Sequence, residues 1–450
     1  MLAVLALAVL QLLGGLISFA PAQEKNDSLS GQSDAVSISR YVDPTSGMTA
    51  DEAVKYALTH NPELDAARKE VEAAQALVRQ AALRANPMLD VGGSRMVGGP
   101  DNSLMVSARL PLELGGRRSA RILVAEREVE MGEQMVKDRE RMLAAEVRSK
   151  FGEALAEVLK LGFTTELLDT SRRGYEIVAA RVVEGRTPPL EQNMVLVEVN
   201  RLRSMREMNE GAVEVALLEL RNMIGMKPEE PLRLKGDFND LLERPAALAE
   251  ATARALTERP DILAAQAAER LAEAQIIQAR AEGRYDASLT AGYQRMRSGF
   301  MLSGIDDAGR LQPIDSTFNF LTFGVSIDLP VRNKNQGAIQ AAVAGMEAAR
   351  RRREFAELTV RREVAAAYAR YERAARAMEI FRVGVREQAN ANLNVVRLTY
   401  ELGSKTLLDY IVEQRRVIEL ENEFVNAVLE TYRARVEIER ASSSPTLGTK

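Results

Sequence analysis

Ala57-Leu58-Thr59-His60-Asn61-Pro62-Glu63 and Ala255-Leu256-Thr257-Glu258-Arg259-Pro260-Asp261 are two copies of one phrase, 198 residues apart. Each sets a proline at the first turn of a new helix, where its missing N–H is no loss. The surroundings repeat as well. Leu110-Pro111 is matched by Leu329-Pro330 and Gly185 by Gly403, now about 219 residues apart. Parts that recur in the same order mark a duplicated unit. The second copy has roughly 20 extra residues between its two strand-like segments, and the Gly/Asp-rich stretch from Ser298 to Ser316 reads as a loop insertion.

Within the first unit, Thr49-Ala50-Asp51-Glu52 is a capping box that opens a helix. Asn61-Pro62 starts another, expected to run to about Ala85 and to stop at Asn86-Pro87. Met88 to Val97 and Leu104 to Leu110 alternate apolar with polar or small residues around Gly98-Gly99-Pro100-Asp101, the pattern of a strand hairpin. From Gly115-Gly116 no proline occurs until Pro188. Ile122, Val129, Val136 and Leu143, then Leu168, Tyr175 and Val182, recur at seven-residue spacing. That is a coiled-coil seam with one phase shift, on a rod of the order of 100 Å. The chain turns at Gly185-Arg186-Thr187-Pro188-Pro189 and returns as a helix from about Leu190 to Met226. In the second unit, Tyr285 to Arg297 and Phe318 to Pro330 are the matching strands, with Leu321, Phe323, Val325, Ile327 and Leu329 on one face.

Composition excludes most chemistry. The 450 residues contain no cysteine, no tryptophan and one histidine, His60. A thiol nucleophile, a disulfide and a Cys/His metal site are therefore out of reach, and no constellation singles out an enzyme, a metal or a cofactor. His60 reads as a capping or surface residue. Met131, Met135, Met142, Met205 and Met208 read as helix packing rather than soft-metal ligands. A net charge of -4 argues against a nucleic-acid partner. Leu2 to Ile17 is apolar but short for a membrane span, and Ala20-Pro21-Ala22 offers a cleavage site, so residues 1–22 read as an export signal, although no Lys or Arg precedes the apolar core. The expected organisation is then an extended arm at 23–48, repeats at 49–236 and 237–442, and a tail at 443–450. No later stretch is apolar enough for a membrane helix, so any membrane contact falls to the strands. Four strands cannot close a barrel within one chain; strands pooled from several chains can.

Asn61-Pro62-Glu63-Leu64, Asn86-Pro87, Leu110-Pro111-Leu112-Glu113-Leu114-Gly115-Gly116 with Arg117-Arg118, and Leu329-Pro330-Val331-Arg332-Asn333-Lys334-Asn335-Gln336-Gly337 resemble the TolC family of outer-membrane efflux proteins, most closely its CzcC-like, heavy-metal branch. The resemblance spans roughly residues 48–440. It implies a mainly helical chain with a small β part, three of which build an α-helical barrel and a twelve-stranded outer-membrane β-barrel. It also implies a passive exit duct whose partners are outer-membrane lipid, a periplasmic adaptor protein and an inner-membrane pump of the resistance-nodulation-division type. By the same resemblance the turns Arg181 to Glu191 and Tyr400 to Asp409 become adaptor-contacting tips, with Arg181, Gly185, Gly403 and Ser404 at the contact. Tyr400, Lys405 and Asp409 become candidate gate residues, and Leu321, Phe323, Val325, Ile327 and Leu329 a lipid-facing row. Val412 stands where the best-known pattern has a second acidic residue. Multidrug efflux, type I secretion and a poreless periplasmic coiled-coil scaffold remain alternative readings.

Overall fold

A computed structural model of the chain describes residues 36–99, 101–238 and 245–443. The signal segment and nearly all of the tail lie outside the described residues. Helices α1 (Val36–Ser39), α2 (Ala50–His60) and α3 (Pro62–Ala81) lead into strands β1 (Met88–Arg95) and β2 (Asn102–Pro111). The long helix α4 (Arg117–Val183) and its return α5 (Pro189–Ile224) complete the first unit. The second runs α6 (Leu248–Glu258), α7 (Pro260–Glu282), β3 (Asp286–Ile305), β4 (Leu311–Asp328), α8 (Gln336–Glu379), a π-helical turn (Ile380–Arg386), α9 (Glu387–Glu401) and α10 (Leu407–Ser442). The duplication expected from the paired phrases is thus present as two matching series of elements.

Boundaries and assignments differ from expectation at several points. α3 ends at Ala81 rather than about Ala85, because the Arg118 and Arg121 side chains take the Ala82, Ala81 and Leu83 carbonyls in place of a continuing helix. β1 closes at Arg95, short of Val97. The stretch from Ser298 to Ser316 is not a loop: it extends β3 to Ile305 and starts β4 at Leu311, leaving a short turn at Gly309. Ladder hydrogen bonds satisfy the backbone there at no cost to the alternating side chains, whereas a loop would leave them to water. The stretch 38–48 of the arm is anchored. Tyr41 is buried, and parallel bridges join Val42 and Met48 to Leu234. Among the methionines, Met205 packs in the core, but Met135, Met142 and Met208 are exposed on the single chain.

All four strands form one antiparallel sheet in the order β1-β2-β3-β4, so the two hairpins join edge to edge through β2 and β3. The register gathers Leu89 and Val91 of β1, Val106 and Ala108 of β2, Leu289 and Tyr293 of β3, and Leu321 to Ile327 of β4 on one face. Ser94, Ser103, Ser107, Thr290, Gln294, Thr322 and Ser326 fall on the other. That second face also carries Met105, Arg109, Met296, Phe318 and Phe320, so it is mixed but richer in Ser, Thr and Gly than the first.

The helices are ordered side by side as α5, α4, α10 and then α8–α9, with α4 touching partners along most of its length. Val147, Phe151, Leu155 and Leu161 of α4 meet Val213, Leu217 and Leu220 of α5 and Val425, Val428 and Tyr432 of α10. Gly152 permits the α4–α10 approach, since a Cβ there would stand 2.5 Å from the Tyr432 ring. The expected seam is seated: Leu168 is fully buried, and Tyr175 and Val182 pack beside it. Among the described residues no helix is long and apolar enough to cross a membrane.

Candidate functional site: the two hairpin tips

Both long helices stop by the same device. Gly185 (φ +71°) and Gly403 (φ +78°) occupy the left-handed region that closes a helix C-terminus. Arg186 N–H donates to the Arg181 carbonyl and Gly185 N–H to that of Val182; Ser404 and Gly403 do the same to Thr399 and Tyr400. The two restarts differ. α5 begins on Pro188-Pro189 with no side-chain cap. α10 begins on Thr406, whose Oγ1 accepts from Asp409 N–H at 3.2 Å while the Asp409 carboxylate accepts from Thr406 N–H at 3.0 Å and from its Oγ1 at 2.8 Å.

Within one chain Asp409 is held by Thr406, and Lys405 adds a weaker attraction. A carboxylate three residues into a helix satisfies free N–H groups at short range, which outweighs a solvated charge pair. The Thr406 hydrogen bonds hold the Asp409 carboxyl below its usual range.

Tyr400 lies elsewhere, between the hairpins. Its ring stacks on Tyr410 with centroids 6.2 Å apart, and its hydroxyl donates to Glu191 Oε2 at 3.2 Å. Burial raises the Tyr400 phenol, and the Glu191 carboxylate adds to the rise. Beneath the tips, Arg181, Tyr400, Tyr410, Arg397 and Gln414 line a cleft of about 450 Å³ between the two hairpins. The structure thus brings Tyr400 together with Arg181 and Glu191, and leaves Lys405 and Asp409 on the exposed turn.

Deeper in the seam lie groups that sequence reasoning missed. Glu198 is 2% exposed, gripped by Arg201 of its own helix at 2.7 Å and by Arg415 of α10 at 2.8 Å. Burial pushes its carboxyl up, but the two guanidinium groups outweigh that and hold it below the ordinary range. Gln414 Nε2 donates to Ser171 Oγ at 2.9 Å beside it. No motif announces these groups. Their only signal is a carboxylate on the apolar stripe of α5, three residues before an arginine.

His60 stacks on Tyr56 with ring centroids 4.0 Å apart at the α2–α3 break. Among the described residues no group of three or more metal-ligating side chains is gathered. Leu321, Phe323, Val325 and Ile327 of β4, and Leu329 just past its end at Asp328 instead of the expected Pro330, are all exposed, from 55% to 78%.

Comparison with known proteins follows the same outline. The profile of the family "Outer membrane efflux protein" matches residues 53–226 and 251–444, one match per repeat. The cobalt-zinc-cadmium resistance protein CzcC of Cupriavidus metallidurans is 23% identical over 396 residues, covering 87% of this chain and 89% of that one. The solved structure of CusC superposes with a TM-score of 0.70 at 19% identity, covering 87% of this chain and 91% of CusC. A membrane protein from Pseudomonas aeruginosa superposes at 0.69 with 22% identity, covering 95% of this chain and 99% of that protein. A duplicated helical hairpin carrying a four-stranded sheet, matched in both copies, therefore belongs to the outer membrane efflux protein family: the chain is an outer-membrane efflux channel component and not an enzyme.

Proposed function

We propose that three copies of this chain close into one tube, the exit duct of a tripartite exporter, and that its cargo is heavy-metal cations such as cobalt, zinc or cadmium. The observation that carries the tube is the pair of open edges. Helix α5 exposes Leu190, Val197, Met208 and Val215, and the α8–α9 edge exposes Phe355, Ile380, Val395 and Leu398. β1 and β4 are likewise outer strands of the sheet with unpaired edges. A chain with unsatisfied edges on both sides is completed by its neighbours, and bare strand edges are not tolerated in lipid. Three four-stranded sheets give twelve strands, and the apolar row Leu321 to Leu329 then faces the bilayer while the Ser/Thr/Gly face lines water.

The cargo rests on the likeness to CzcC alone. The channel takes its cargo from an adaptor protein and an inner-membrane resistance-nodulation-division pump, docking through Arg181, Gly185, Gly403 and Ser404 at the tips. Tyr400, Lys405 and Asp409 are the gate residues of the periplasmic mouth; in their support, Tyr400 is tied to Glu191 and Asp409 is fixed in its cap on the exposed turn.

Deleting the gene should lower tolerance to cobalt, zinc or cadmium, and restoring it should recover tolerance. Unchanged metal tolerance with lost drug tolerance would move the cargo to organic compounds. In planar bilayers the purified trimer should conduct, and Tyr400→Phe should raise its open probability; a protein that never conducts removes the tube itself.

A further inference from the structure

On one face of the sheet the apolar rows give way to arginines, beyond which β3 and β4 run on to Ile305 and Leu311. Strands enter and leave the helices at Met88, Pro111, Asp286 and Asp328, so the ends of β1 at Arg95 and β3 at Ile305 lie remote from the helices, at the extracellular end of an outer-membrane channel. Rows on the lipid-facing side, read from the register toward that end, run Ala108–Ala291–Phe323, then Val106–Tyr293–Leu321. The next row is Leu104–Arg295–Asn319, and the one after it Arg95–Asn102–Arg297–Thr317. The change from apolar to cationic happens within one row, about 7 Å along the strand.

The three arginines do not share one state. Arg297 is paired with Asp315 across the β3–β4 ladder. Arg95 and Arg295 are exposed, and among the described residues neither makes an ion pair. The nearby Asp101 is occupied by the Gly299 N–H at 2.7 Å. Two strand spacings separate Arg95 from Arg297, about 10 Å, and Arg295 lies on the same strand as Arg297, one row nearer the lipid and on the diagonal from Arg95. Guanidinium forks at this spacing suit phosphate oxygens, which accept two parallel N–H bonds from each.

We propose that Arg95 and Arg295, supported by Arg297, form a binding site for the phosphate groups of the outer-leaflet glycolipid of the outer membrane. Resting on the reading of the Leu321–Leu329 row as lipid-facing, the site takes a phosphorylated, multiply acylated headgroup. The acyl chains lie on Tyr293, Leu321 and Phe323, and the phosphates reach the arginines one row above. Charge complementarity selects this occupant: the rim is cationic, the apolar row beneath it is continuous, and the phosphate-bearing headgroup of the outer leaflet sits at that level. Three copies of the chain carry three such sites around the barrel.

The test uses the purified full-length protein, reconstituted with lipopolysaccharide, with the same lipopolysaccharide after enzymatic dephosphorylation, or with phosphatidylglycerol vesicles. Lipid retained through size exclusion and the temperature of trimer dissociation are both read. Wild type should retain the phosphorylated glycolipid and dissociate at a higher temperature in it than in either other lipid. Arg95→Ala with Arg295→Ala should retain about tenfold less and lose the temperature increment, as expected for about 1.4 kcal/mol of lost binding. Arg109→Ala, on the opposite face of the sheet, should change neither. If the double alanine variant fails to assemble, Arg95→Lys with Arg295→Lys decides: charge kept with the fork lost should give intermediate retention. Equal retention by wild type and variants, or equal stabilisation by dephosphorylated glycolipid or phosphatidylglycerol, overturns the proposal. A trimer that conducts but ignores lipid phosphate sinks this inference alone; one that neither inserts nor conducts sinks the channel reading beneath it.

Discussion

The two halves of the chain carry the same parts in the same order, yet their long helices live in different surroundings. α4 is one unbroken helix of 67 residues, with buried side chains from Ala120 to Val178. Its counterpart is interrupted by the π-helical turn at Ile380–Arg386, where nothing is buried, and α9 buries only Ala389. The difference follows from position, not from propensity. α4 lies between α5 and α10, whereas α8 and α9 form an outer edge, with apolar residues left for a neighbour. A π turn re-phases a helix face, and such turns recur where a helix must serve two packing partners.

The shared phrase shows the same divergence at one residue. In the first copy Asn61 caps α3 through Leu64 N–H, and its Nδ2 donates to the Met223 carbonyl at 2.8 Å. In the second copy Arg259 donates to the Ala441 carbonyl and Glu363 at 3.0 Å each, and pairs with Asp261. Each residue ties its helix break to the end of its own return helix, by a neutral amide in one copy and a buried cation in the other. Duplication preserved the connection and not its chemistry.

The comparison can be broken most severely at the edge. Val395→Glu with Leu398→Glu should abolish the heat-resistant trimer on gels, because charges would be buried against a neighbouring chain. A persisting trimer would mean that α9 is not a subunit edge. Next in size, Arg259→Ala should destabilise the chain by about 2–3 kcal/mol, since it removes a buried side chain and leaves the Ala441 carbonyl and two partly exposed carboxylates without their partner. Asn61→Ala should cost only about 1 kcal/mol, the scale of a lost helix cap. Urea unfolding followed by circular dichroism compares the two, and equal losses would remove the claimed difference in chemistry.

The tips supply smaller effects. Thr406→Ala should loosen the first turn of α10 by about 1 kcal/mol, while the proline-started α5 has no side-chain cap to lose. Hydrogen exchange at the two turns reads this directly, and equal protection in wild type and variant would deny the cap its role. Acid should sharpen the same contrast. The Asp409 carboxyl sits below its ordinary 3.8, so its contribution is complete above that value and is lost as pH falls through the lowered one. Fraying below about pH 4 should therefore favour the α10 tip over the α5 tip. Uniform acid fraying of both tips would show that the capping box does not matter.

Much of this fold was legible because its signals are local. Proline and glycine mark helix starts and stops, seven-residue spacing marks the rods, and alternation marks the strands. The same reading placed a loop at 298–316, because Gly299, Gly304, Asp306, Asp307 and Gly309 resemble turn chemistry. The ladder that makes it strand pairs Ile305 with Leu311 and Ser298 with Ser316, and there the hairpin's own hydrogen bonds outweigh the turn-like composition. Tyr400 was singled out and its partner Glu191 was not, since 209 residues separate them. Glu198 was invisible for the same reason.

By itself, then, the sequence determined the duplicated unit, the long rods with their turns, the alternating strands and the absence of enzyme chemistry, all set by neighbours within a few turns of chain. Only the tertiary structure decided which long helix is central and which is an edge, which groups meet Glu198 and Tyr400, and how the two hairpins join into one sheet. Those outcomes depend on packing and hydrogen-bond partners from distant segments, and on which of two near-equal local choices leaves the fewest polar groups unsatisfied.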